Sequence, residues 1–155
     1  MDSVTAIVVA LLTIGGSLLG VWAGWRLGMS ERLRQWRRDK QIDAYSELLS
    51  ASADVAGAAS HELQAETDEE HAAAGRETGT AMLRYHDALH RANIVASPSV
   101  RLVVDELARS MSAGIRELHN RDNRDDEAVS EHLVAAADLR KRVSEAARED
   151  FGFDR

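Results

Sequence analysis

The sequence predicts an all-α fold: one N-terminal transmembrane helix followed by an antiparallel bundle or hairpin domain of three to four helices. Three observations predict it. An uncharged run near the start is long enough to span a bilayer, and the apolar residues beyond it recur at spacings of three and four. The composition, with one proline, ten glycines, no cysteine and abundant alanine, is that of a helix-rich chain without disulfides or thiolate metal sites. At 155 residues the chain has room for one domain plus an appendage. Residues 1–28 read as the anchor, 29–40 as a basic juxtamembrane helix and 41–155 as an acidic helical domain.

The first element is Ser3–Trp25, 23 residues without a charge. As a helix it reaches about 34 Å, against a hydrocarbon core of about 30 Å. Trp22, Trp25 and Arg26 mark its end with the aromatics and cation of a membrane interface. A cleaved signal peptide fits poorly, because Asp2 stands where a cation belongs and the apolar run is too long. Gly16, Gly20, Gly24 and Gly28 recur every four residues, a spacing that lays a shallow groove along one face and suits close approach of a second helix. Self-association through this face is expected.

The next element explains the charge. Arg26, Arg32, Arg34, Arg37, Arg38 and Lys40 face only Glu31 and Asp39, so Arg26–Lys40 carries +4, whereas Gln41–Arg155 carries −10. Cations beside the end of a span stay on the cytoplasmic side, which puts the N-terminus outside and the acidic domain in the cytoplasm of a plasma-membrane protein. The collar is also suited to anionic headgroups, and Trp36 within it to lipid or to a partner helix. An acidic body argues against nucleic acid as a partner, because phosphate binding needs a positive surface.

Four helices follow by periodicity. The first runs from about Ser30 to Gln64, with Ile42, Tyr45, Leu49, Ser52, Ala56, Ala59 and Leu63 on its apolar face. The second ends near Ala96 and carries Met82, Tyr85, Leu89, Ala92 and Ala96. A capping box of Thr67 and Glu70 favours a start at Thr67, whereas Gly75 and Gly79 favour one near Thr78. Ser97 and Pro98 open the third as N-cap and first turn. It presents Val100, Val104, Leu107, Met111 and Leu118 and ends near Asn120. After the polar stretch HNRDNRDD, Asn123 or Asp125 caps a fourth helix bearing Val129, Leu133, Ala136, Val143 and Ala147. Phe151 to Arg155 are expected to fray unless Phe151 and Phe153 tuck back. Short connections imply antiparallel neighbours, and the alanine-rich inner faces imply a thin core that dimerisation would relieve.

Chemistry is sparse in the sequence, and no cofactor or catalytic residue is expected. It contains no nucleophile elbow and no phosphate-cradling glycine loop. His86 and His90 stand four apart, as zinc ligands do on a helix, but Asp87 replaces the glutamate a metalloprotease would use as base. A third ligand would have to come from His61, His71 or Glu106. Asp68-x-x-His71 and Asp87-x-x-His90 are the nearest matches to a di-iron pattern, with aspartate in place of glutamate. Arg140-Lys141-Arg142 reads as a solvated face.

The stretches WRRDKQIDAYSELL (Trp36–Leu49), SPSV (Ser97–Val100) and AREDFG (Ala147–Gly152), together with an arginine excess of 17 to 2 over lysine, resemble a loose class of small single-pass membrane proteins of actinobacteria and their phages. That resemblance covers nearly the whole chain and implies no activity. The layout is also similar to the b subunit of bacterial ATP synthase. However, the proline turn after the anchor is missing, and Pro98 and the stretch around Asn123 interrupt a continuous stalk. The leading expectation is a non-enzymatic, membrane-tethered interaction module that self-associates or holds a cytoplasmic protein. The alternatives are a prophage- or defence-related protein acting on the membrane by exclusion or permeabilisation, and a metal-dependent hydrolase using His86 and His90.

Overall fold

The computed structural model describes residues 3–120 and 124–152, with side chains at Met29 and from residue 31 onward. Its elements are α1 (Ser3–Gln64), α2 (Asp68–Val95), α3 (Pro98–Leu118) and α4 (Asp126–Phe151), with no strand among the described residues. The chain divides into two compact units, Met1–Asp39 and Lys40–Arg155. Among the described residues no helix is long and apolar enough to cross a membrane. The side chains of Ser3–Trp25, including Gly16, Gly20, Gly24, Trp22 and Trp25, lie outside the described residues, as do those of Arg26 and Gly28.

The second unit is an antiparallel helical bundle. Gln41 Nε2 donates to the Val95 carbonyl at 2.8 Å, Arg91 grips both Glu47 oxygens at 2.9 Å, and His61 lies 3.7 Å from Glu77. Each step up α1 is therefore matched by a step down α2. The second hairpin packs α3 along α4: Ser110 Oγ donates to the His132 carbonyl at 3.1 Å, and Arg142 reaches Glu106 at 2.8 Å. At Gly114 the two helices come so close that a Cβ would stand 2.9 Å from that of His132. The hairpins share one core, and Tyr45 of α1 meets Phe151 of α4 with ring centroids 6.2 Å apart.

Local chemistry sets each boundary. The Thr67 hydroxyl accepts from the Glu70 N–H at 3.2 Å while the Glu70 carboxylate accepts from the Glu66 and Thr67 N–H groups. This capping box starts α2 at the earlier of the two expected positions. Ser97 caps α3 with Pro98 in its first turn, and Asp125 rather than Asn123 caps α4, accepting from Glu127 and Ala128 at 3.1 Å. Gly152, at φ 70°, closes α4 in the left-handed conformation that glycine adopts without Cβ strain. Phe151 is therefore inside the last turn, not frayed, and Phe153 lies outside the described residues.

The core corrects one expectation. The predicted apolar faces of α3 and α4 are largely those buried: Val100, Val104, Leu107, Met111 and Leu118, with Val129, Ala136, Val143 and Ala147. On α1, Tyr45, Ser52 and Ala59 are buried as expected, but Ile42 is 40 % exposed, and the buried line also takes in Ala44, Leu48, Ala51, Val55, Ala58 and Glu62. On α2 it runs through Ala74, Thr78, Ala81, Tyr85, Ala88 and Ala92. The α1–α2 interface is thus built mostly from alanine, with Thr78 and Ser52 hydroxyls returned to the carbonyls of Ala74 and Leu49.

Candidate functional site

The histidines singled out by spacing do not converge. His86 and His90 lie exposed on the outer side of α2, with Asp87 between them. The residues that would have to complete a metal site are held elsewhere. His61 is beside Glu77, Glu106 is engaged by Arg142, and His71 lines a cleft at the first turns of α2. Among the described residues no group of three or more histidines and carboxylates is placed to hold a metal ion. The basic triplet is also partly tied down, with Arg142 on Glu106 at 2.8 Å and Lys141 3.9 Å from Glu145.

What the fold does assemble is a recess that periodicity missed. Its position is set by the end of α1, the beginning of α2 and the end of α3, and it is about 830 Å³ in volume. At its wall stands Glu62, a carboxylate on the buried line of α1 and only 8 % exposed. One oxygen, Oε2, is buried without a hydrogen-bond partner, and Oε1 lies 3.7 Å from His119 Nε2. Gly75 of α2 passes close by, its missing Cβ 3.6 Å from Oε1. Asp68, His71, Arg76 and Arg124 complete the lining. Carboxylates, imidazoles and guanidinium groups of both signs meet here, so the recess can accept and donate hydrogen bonds. Among the described residues, no serine, threonine or cysteine is part of its lining. The signal for it was a glutamate falling on the apolar spacing of α1, three residues after Ala59.

No family model, curated protein or solved structure matches this chain. The electrostatics of the described surface therefore carry the functional argument. A shallow groove between α1 and α2 is lined by Asp43, Glu47, Asp54 and Asp87, against Arg84 and Arg91. In contrast, residues 31–40 of α1 are exposed at every position and include Arg32, Arg34, Arg37, Arg38 and Lys40. Among them stand Leu33, 51 % exposed, and Trp36, 58 % exposed, with Met29 one turn earlier at 43 %. Large exposed apolar side chains beside several arginines are a feature that calls for a partner.

Proposed function

We propose that the chain is a membrane-tethered helical interaction module: Ser3–Trp25 crosses the plasma membrane with the N-terminus outside, and the acidic bundle binds a second copy or a cytoplasmic protein. The observation that carries this reading is the uncharged 23-residue run abutting the arginine-rich collar. Hydrocarbon tolerates such a run as a helix, because every backbone group is satisfied within it. The collar then holds the following residues on the cytoplasmic side. Leu83 and Ile94, exposed on the outer side of α2, supply apolar contacts a partner helix would cover. Gly16, Gly20, Gly24 and Gly28 favour pairing of the membrane helices.

Alkaline carbonate washing of membranes from cells expressing the full chain tests the tether. The chain is expected to remain in the pellet, with a C-terminal tag shielded from protease in intact spheroplasts. Release into the supernatant, or a tag cut from outside, overturns the reading. The glycine spacing also supports a second reading, an assembly that permeabilises the membrane. Dye leakage on expression that Gly20→Ile abolishes would favour that reading over a passive tether.

A further inference from the structure

We infer that the helical segment Met29–Trp36 is a one-sided lipid-contacting element, whose apolar stripe and bordering arginines bind the surface of an anionic phospholipid bilayer. Met29, Leu33 and Trp36 are spaced four and three residues apart, so they share one face of α1. All three are large, apolar and between 43 % and 58 % exposed. By helical position Arg32 and Arg37 border that face on opposite sides, and Asp39 is the one acid on the Arg32 flank. Glu31, Arg34, Gln35 and Arg38 lie away from it. An apolar face edged by guanidinium groups is the arrangement that lies along a bilayer surface with its cations at the phosphates, and the inferred contact requires α1 to leave the axis of the tether between Trp25 and Met29.

Two observations select lipid over a second copy as the occupant. The apolar spacing ends at Trp36, because the next positions on that face are Lys40 and Asp43, which are exposed and 4.0 Å from each other. Past Trp36 the face offers no apolar residue to extend a coiled-coil seam, which needs several heptads. The charge of the segment is also complementary to anionic headgroups, and the surface potential of such a leaflet adds to attraction for each arginine. The inference rests on the tether proposed above, since the uncharged run brings this segment to the bilayer surface.

The chain has no cysteine, so single substitutions report one position each. Met29→Cys, Leu33→Cys and Trp36→Cys sample the stripe, and Glu31→Cys and Gln35→Cys sample the far side. Each full-length variant is labelled with an environment-sensitive fluorophore and reconstituted into phosphatidylcholine vesicles with or without phosphatidylglycerol. In the anionic vesicles the stripe labels are expected to shift to shorter wavelength and lose quenching by aqueous acrylamide, while labels at 31 and 35 keep it. The difference should vanish in pure phosphatidylcholine and shrink at about 1 M salt, where screening acts within about 3 Å.

Labels that show no difference between the faces in anionic vesicles overturn the inference. So does protection of the stripe that is equal in both lipids and accompanied by Leu33→Cys disulfides between copies, which would identify a second chain as the occupant. Carbonate extraction of the same vesicles tests the tether separately. A chain that is stripped from both compositions sinks the tether, while the label pattern recorded before the wash still decides the surface contact.

Discussion

Tyr85 carries its hydroxyl into the middle of the bundle, where the ring is fully buried and Oη has no hydrogen-bond partner. A buried hydroxyl left unmet costs roughly 1–3 kcal/mol relative to one in water. Tyr85→Phe is therefore expected to raise stability by about 1 kcal/mol at neutral pH, read from urea denaturation. Burial also pushes the Tyr85 phenol well above its ordinary value. The folded state thus keeps a proton that the unfolded chain releases near pH 10. Stability should be intact below that pH and fall as it is exceeded, and Tyr85→Phe should flatten this alkaline decline. Some slope should remain, because burial raises the Tyr45 phenol too. A loss of stability in the phenylalanine variant would show that the hydroxyl is bonded. At this scale the sequence was legible where chemistry is local, as at Ser97 and Asp125, whose caps reach only two or three residues ahead. Glu62 was not legible. A carboxylate on an apolar line reads as exposed until Gly75 and His119, distant in sequence, are seen to enclose it.

At the scale of the helices, glycine has opposite meanings in α2 and α3. Gly79 has open space where a Cβ would stand, so Gly79→Ala should stabilise α2 by about 0.5–1 kcal/mol through lower unfolded-state entropy. Gly114 has the His132 Cβ at 2.9 Å, so Gly114→Val should force α3 from α4 and cost about 1–3 kcal/mol. Opposite shifts in thermal midpoint by circular dichroism check both, and a neutral Gly114→Val would place the helices farther apart than described. The sequence left the start of α2 open because Gly75 and Gly79 weaken the helix between two candidate caps. The reciprocal bonds of Thr67 and Glu70 decide it. The face of α1 was misjudged at Ile42 for a related reason. Alanine is nearly indifferent to burial, so a helix with alanine on several sides has weak periodicity, and its neighbours choose the buried side.

For the molecule as a whole, the division after Asp39 predicts that the bundle folds without the residues before it. A fragment of residues 40–155 is expected to give a helical spectrum with one cooperative thermal transition. A broad, non-cooperative loss of signal would mean that the bundle needs the preceding unit. The all-helical architecture of the described residues was plain from spacing and composition, whereas the recess beside Glu62 and the exposed stripe of Met29, Leu33 and Trp36 emerge only once helices have neighbours or lack them. The alanine of the core has a further thermodynamic consequence. Ten of the 22 buried apolar side chains among the described residues are alanine, so unfolding uncovers little hydrocarbon per residue. Heat capacity and denaturant sensitivity both scale with that newly wetted area. The free-energy curve of this bundle should therefore be shallow in temperature, with a gradual response to urea and modest variation in stability between cold and warm conditions.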